Sequence, residues 1–62
     1  MVANIITETV TNKDGDVLWF SNYPFTRLNK KGECFIHDSH RYEVISSILD
    51  GRNIRTVVIK LS

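Results

Sequence analysis

Three polar turns, each carrying one glycine, divide this 62-residue chain into short apolar segments. The turns are Asn12-Lys13-Asp14-Gly15, Asn29-Lys30-Lys31-Gly32 and Asp50-Gly51-Arg52-Asn53. Glycine, asparagine and aspartate tolerate the backbone angles of tight turns, and turns at such spacing are typical of β-hairpins. The segments between the turns are rich in isoleucine, valine and threonine, which favour strands. The sequence therefore predicts a single all-β domain over residues 1–62.

Five or six strands follow from this division of the chain. The candidate segments are residues 4–11, 16–22, 25–28, 33–37, 41–49 and 54–61. Pro24 cannot donate a hydrogen bond to a strand ladder, so residues 16–28 form either one strand bent at Pro24 or two short strands at a corner. The result is an antiparallel meander. Because short strands in a flat layer cannot enclose a core, we expect the sheet to twist and close into a small barrel.

Two adjacent segments of the chain resemble known barrel strands. Residues 32–37, Gly-Glu-Cys-Phe-Ile-His, followed by residues 42–45, Tyr-Glu-Val-Ile, are similar to neighbouring strands of SH3-like and OB-like barrels. This resemblance concerns the fold pattern alone and implies a partly open barrel. The alternative is an α+β fold with a helix at about residues 40–49, because the apolar residues of that segment also fit a helical stripe.

The register of the last hairpin can be predicted from charge and apolar matching. If residues 50–53 form a four-residue loop, Val44 lies opposite Ile59, and Ser46 lies opposite Val57. Glu43 then lies opposite Lys60, which is a favourable cross-strand pair. A slip of one residue would move every side chain to the other face. A two-residue loop would place Arg41 opposite Lys60 and Glu43 opposite Val58, so charge matching favours the longer loop.

Composition excludes several classes of protein. One cysteine, Cys34, cannot form an internal disulfide bond, which indicates a reducing compartment. No apolar run approaches the roughly 20 residues that span a bilayer, and the first residues do not resemble a signal peptide. We therefore expect a cytoplasmic protein with no membrane partner. The formal net charge of +1 does not by itself favour nucleic acid as a ligand.

Cys34, His37 and His40 form the only cluster of reactive residue types with regular spacing. Thiolate and imidazole bind zinc or copper, and a cysteine–histidine pair can act as a nucleophile. Residues three apart in a strand point to opposite faces, however, and no second cysteine is present. The expectation is a buried Cys34 beside two surface histidines, with no catalytic residue, no metal and no cofactor.

Residues 19–25 hold four of the six aromatic side chains. Strand alternation sends part of this group into the core, and we predict that Phe20 and Phe25 are buried, with Leu18 beside Phe20. Trp19 and Tyr23 are then predicted to stand exposed on the opposite face. Exposed tryptophan and tyrosine are frequent anchors of protein interfaces.

These residues predict a binding module rather than an enzyme. The candidate binding residues are Trp19, Tyr23, Arg27, Lys30, Lys31, Arg52 and Arg55. The expected function is docking onto a partner protein and modulating it, in the way that small phage or mobile-element proteins regulate or inhibit host machinery. The alternative is a nucleic-acid-binding β-barrel that uses the same aromatic and basic residues. A third expectation is a homodimer formed through exposed edge strands.

Overall fold

The computed structural model describes residues 5–24 and 28–62, and these residues form one five-stranded sheet without a helix. The strands in chain order are β1 (Ile6–Thr11), β2 (Val17–Tyr23), β3 (Cys34–His37), β4 (His40–Asp50) and β5 (Asn53–Lys60). The sheet is curled into a half-barrel. The prediction of a small all-β, partly open barrel is therefore confirmed, and the alternative helix at residues 40–49 is wrong because that segment lies in β4.

The strand order across the sheet is β2-β1-β5-β4-β3, which differs from that of a simple meander. β1 and β5 pair in parallel, and all other neighbours pair antiparallel. β2 ends at Tyr23, directly before Pro24, whose missing N–H cannot continue a ladder. β2 and β3 form the two edges of the sheet, and β1, β5 and β4 lie between them.

Strand alternation gives the sheet an inner, concave face and an outer face. On β5 the inner residues Ile54, Thr56 and Val58 are completely buried. The main core cluster consists of Val10, Tyr42, Val44 and Val58, and two half-buried aromatic side chains pack against it, Trp19 and Phe35. Such a small core implies a stability of only a few kcal/mol for the whole domain.

The β4–β5 hairpin confirms the predicted register near its turn and departs from it further away. Ser46 lies opposite Val57 as predicted, but Val44 lies opposite Val58 instead of Ile59. The register shifts by one residue between Val44 and Ser46, which is a β-bulge at Ile45. The bulge brings Val44 and Val58 together in the core, a long-range contact that charge matching could not reveal. The loop itself consists of two residues, because Asp50 pairs directly with Asn53.

The predicted faces of β2 are reversed in the structure. Trp19 is half-buried and packs against the core, and Tyr23 is also half-buried. Phe20 is 64% exposed and Leu18 is 40% exposed, so neither is a core residue. Trp19 lies opposite Val10, a core residue of β1, and this pairing decides which face of β2 turns inwards. Phe25, also predicted to be buried, lies outside the described residues.

The β3–β4 turn holds two non-glycine residues in the left-handed region of backbone space. Asp38 has φ 52° and Ser39 has φ 67°, and the flanking residues His37 and His40 pair with each other. Positive φ at both central residues is the signature of a type I′ turn, in which glycine is preferred at the second position. Ser39 therefore carries backbone strain of about 1 kcal/mol.

Replacing Ser39 with glycine is expected to stabilise the domain. Relief of the strain is offset in part by the larger entropy of glycine in the unfolded chain, which leaves a net gain of about 0.5 to 1 kcal/mol. Thermal unfolding should show a rise in melting temperature of roughly 4 °C. The reverse change at the other two-residue turn is the control. Gly51 has φ 64°, so Gly51→Ser should lower the melting temperature by a similar amount. A Ser39→Gly variant that melts at or below the wild-type temperature would contradict this account of the turn.

Candidate functional site

A cleft of about 210 Å³ opens on the inner face of the half-barrel. Its lining comes from β1, β2, β3 and β5 and from the loop that precedes β3. Aromatic and polar side chains share this lining, among them Glu8, Trp19, Tyr23, Asn29, Phe35 and His37. The cleft therefore combines aromatic ring surfaces with the carboxylates of Glu8 and Glu33 and with further hydrogen-bonding groups.

Aromatic side chains join the two edge strands across the mouth of the half-barrel. Trp19 on β2 stacks on His37 of β3, with ring centroids 3.7 Å apart and planes inclined by 11°. Trp19 also meets Phe35 edge-on at 6.1 Å and Tyr42 at 5.1 Å. β2 and β3 are not neighbours in the hydrogen-bonded order of the sheet. The seam between them is thus closed by side chains, with Trp19 at its centre.

Glu8 is a buried carboxylate at the centre of a hydrogen-bond network. It is only 3% exposed. The Tyr23 hydroxyl donates to Oε1 over 3.1 Å, and Oε2 accepts from Asn29 Nδ2 at 2.8 Å and from Thr56 Oγ1 at 2.5 Å. The three donors come from β2, from the loop before β3 and from β5. Glu8 therefore ties three separate parts of the chain to β1.

The network continues from Thr56 to β4 and back to the loop. The hydroxyls of Thr56 and Ser47 lie 3.0 Å apart, and the backbone N–H of Asn29 donates to Ser47 Oγ over 3.3 Å. Within the part of the chain that the structure describes, every buried side-chain nitrogen and oxygen has a hydrogen-bond partner. These contacts hold the loop before β3 against the inner face and give the cleft one of its walls.

Sequence reasoning missed Glu8. The signal was present, because Glu8 lies in phase with Ile6 and Val10, the buried positions of β1. A single carboxylate among inward-facing apolar residues of a strand indicates either a buried polar network or a binding site. Residues 4–11 were interpreted only as an apolar strand, and the inward position of Glu8 was not considered.

The candidate binding residues do not form one patch. Trp19 and Tyr23 line the inner cleft. Lys30 and Lys31 are exposed on the loop before β3, which borders the cleft. The remaining residues are separated from this group: Arg52 is exposed in the β4–β5 turn, Arg55 is exposed on the outer face, and Arg27 lies outside the described residues.

The cysteine and the two histidines are also placed differently from the prediction. Cys34 is exposed, whereas His37 and His40 are half-buried. Alternation along β3 turns Cys34 to the outer face and His37 to the inner face, so their side chains do not converge. Residues 5–24 and 28–62 contain no group of three side chains suited to hold a metal ion.

A row of four residues crosses the outer face on four adjacent strands. Thr9 of β1 pairs with Phe20 of β2 and with Arg55 of β5, and Arg55 pairs with Ile48 of β4. We call these four residues the outer row. Phe20 is 64% exposed and Ile48 is 61% exposed. Two large apolar side chains thus flank an exposed arginine on an open sheet surface.

Compared with protein-family models, curated proteins and solved structures, the chain shows no significant match to any of them. Among the described residues, no helix is long and apolar enough to span a membrane. The functional argument therefore depends on the geometry of the cleft and of the outer row.

Proposed function

We propose that this chain is a non-catalytic binding module that docks its outer row onto a partner protein and modulates that partner. The observation that carries the proposal is the exposure of Phe20 and Ile48 on one row of the sheet. Large apolar side chains grouped on one exposed surface often mark a site of protein interaction. Burial of these two side chains would have stabilised a domain whose core is so small, so their exposure is a cost to folding.

Charge indicates the chemistry of the partner surface. Arg55 lies between Thr9 and Ile48, so a complementary patch is apolar with a carboxylate near its centre. Arginine forms bidentate hydrogen bonds with carboxylates and is enriched among interface anchors. A two-fold dimer centred on the outer row would place the Arg55 side chains of two copies against each other, which is unfavourable. The charge therefore favours a different protein over a second copy of this chain.

A role in binding single-stranded nucleic acid is the second candidate function. It needs aromatic faces on which bases can stack, beside cations that contact phosphates. Trp19 already stacks on His37, and the exposed cations of the loop before β3 are separate from Arg52 and Arg55. Both observations favour the protein partner. Nucleic-acid binding would be recognised by an affinity that falls steeply as salt is raised.

Occupation of a functional surface on the partner is the proposed means of modulation. A small rigid sheet that covers such a surface blocks access to it without any chemistry of its own. This is how we expect a small regulator or inhibitor, such as those encoded by phages and mobile elements, to act on host machinery in the cytoplasm.

Substitutions in the outer row are expected to abolish capture of the partner without unfolding the domain. Threonine suits an exposed strand position and removes the apolar contact. With tagged protein and a nuclease-treated lysate of the source organism, Phe20→Thr and Ile48→Thr should each weaken binding of a near-equimolar protein by about tenfold or more. Circular dichroism should show melting temperatures close to that of the wild type.

Ile36→Thr is the matched control for this experiment. Ile36 is 73% exposed on the outer face of β3, away from the outer row, so its substitution should leave capture unchanged. A partner held equally well by the outer-row variants and by Ile36→Thr would refute docking through this row. A bound fraction that disappears with nuclease would favour nucleic acid, and a dimer that dissociates in the Phe20→Thr variant would favour self-association.

A further inference from the structure

We propose that the inner cleft binds a primary alkylammonium group, with the Glu8 carboxylate accepting its hydrogen bond and the side chains of Trp19 and Phe35 contacting its carbon chain. This site is on the face of the sheet opposite to the outer row. The inference is thus independent of the proposed docking surface, and either can fail alone.

The charge of the cleft favours a cation. Its described lining includes two carboxylates, Glu8 and Glu33, one imidazole, His37, and no lysine or arginine. Glu8 accepts from three neutral groups and makes no ion pair within residues 5–24 and 28–62. Burying a carboxylate without a cation is costly, and a cationic ligand in the cleft would offset that cost.

Glu8 also retains the capacity for one more hydrogen bond. An ionised carboxylate offers about four acceptor positions on its two oxygens. Asn29 and Thr56 occupy the two positions on Oε2, and Tyr23 occupies one position on Oε1. The second position on Oε1 remains for a donor. A primary ammonium can donate there, whereas a quaternary ammonium cannot.

Size and aromatic content define the rest of the ligand. The cleft volume of about 210 Å³ corresponds to roughly seven water molecules, enough for a chain of four or five carbons. Aromatic faces attract cations and pack well against the methylenes next to them. Since the described residues contain no three-ligand cluster for a metal, an organic cation fits the cleft better than a metal ion.

Two sources can supply this chemistry: a lysine side chain of another protein or a free small amine. Two probes separate them, Nα-acetyl-lysine N-methylamide and n-butylammonium chloride. Stronger binding of the lysine derivative would assign the cleft to lysine side chains. Binding of n-butylammonium alone would assign it to free amines, because the peptide groups of the derivative would then be rejected at the entrance.

The fluorescence of Trp19, the single tryptophan of the chain, provides the measurement. Titration with n-butylammonium chloride at constant ionic strength should give a saturable change in emission. Neutral n-butanol and quaternary tetramethylammonium should bind at least about tenfold more weakly, because each lacks either the charge or the donor. If neither amine probe gives a saturable change, or if n-butanol gives an equal response, the proposal is wrong.

Two variants locate the binding in the cleft. Ser21 lines the cleft and makes no hydrogen bond to Glu8, so Ser21→Leu should fill the space and abolish the response. Asn22→Leu, on the next residue of the same strand and on the outer face, is the matched control and should bind like the wild type. Glu33→Gln, at an exposed lining position, should weaken binding a few-fold without affecting the fold. Retention of full affinity by both Ser21→Leu and Glu33→Gln would overturn the assignment to this cleft.

Discussion

Replacing Trp19 with alanine is expected to unfold much of the population at room temperature. The indole closes the seam between β2 and β3 through its contacts with Phe35, His37 and Tyr42. Removing a large aromatic side chain from a packed site costs about 3 to 5 kcal/mol, and the partial exposure of Trp19 places the loss near the lower end. That loss is comparable to the total stability of a domain of this size. Urea denaturation followed by circular dichroism measures it.

Phe20→Ala is the matched control, one residue along the same strand. Because Phe20 is mainly exposed on the outer face, its removal should change stability by no more than about 0.5 kcal/mol. The two variants test the face assignment of β2 directly, since the sequence alone predicted the opposite order. A destabilised Phe20→Ala variant beside a stable Trp19→Ala variant would show that the structure has the faces of β2 reversed.

Glu8→Leu is expected to destabilise the domain, though less than Trp19→Ala. It removes the acceptor of three hydrogen bonds, those from Thr56 Oγ1, Asn29 Nδ2 and the Tyr23 hydroxyl. The loss of a hydrogen bond at a buried or half-buried position costs about 1 kcal/mol, and the relief from burying a charge offsets part of the total, so the net loss should be about 2 kcal/mol. The loop before β3 should also loosen, which amide hydrogen exchange at Asn29 would detect as lost protection.

Glu43→Leu provides the comparison for this substitution. Glu43 is half-buried on β4 opposite Ile59 and has no side-chain hydrogen bond among the described residues. Its replacement by leucine should therefore leave stability within about 0.5 kcal/mol of the wild type. Equal stabilities for the Glu8→Leu and Glu43→Leu variants would mean that the Glu8 network does not hold the loop in place.

The turns and strands were predictable because their signals are local. The three glycines of the predicted turns, Gly15, Gly32 and Gly51, all have positive φ. The first turn is also determined by a local contact, because Asn12 Oδ1 accepts hydrogen bonds from the backbone N–H groups of Asp14 and Asp16. Contacts between residues two to four apart are encoded in the residues themselves, which is why the β1–β2 and β4–β5 hairpins agree with the structure. The predicted turn at residues 29–32 lies instead in the loop before β3, and the β3–β4 turn at Asp38 and Ser39 was not predicted.

The face of β2, the parallel pairing of β1 with β5 and the bulge at Ile45 were not predictable in the same way. Alternation shows that Trp19 and Phe20 point in opposite directions, but not which of them meets Val10. The pairing of Val10 with Thr56 joins residues distant in the chain, and no local preference encodes it. The alternation of Glu8 with the buried residues Ile6 and Val10 could have indicated its inward position. Its three hydrogen-bond donors could not have been predicted, because they come from elements that only the fold brings together.

The inner and outer faces of the sheet have different roles in this account. Trp19 and Tyr23, the residues whose types suggested binding, mainly hold the half-barrel together and shape the cleft. Phe20, which was predicted to be a core residue, is exposed on the outer face, where the proposed partner would contact it. Aromatic residues in a small domain thus contribute to stability or to binding according to the face on which the register places them.

Site-specific photo-crosslinking from position 20 tests the central claim most directly. Benzoylphenylalanine in place of Phe20 adds a reactive group of similar shape at the exposed end of the outer row. We predict one crosslinked protein partner in lysate from this position and none from the same group placed at Lys13, which is exposed in the β1–β2 turn. Equal crosslinking from both positions, or crosslinks from position 13 alone, would contradict docking through the outer row.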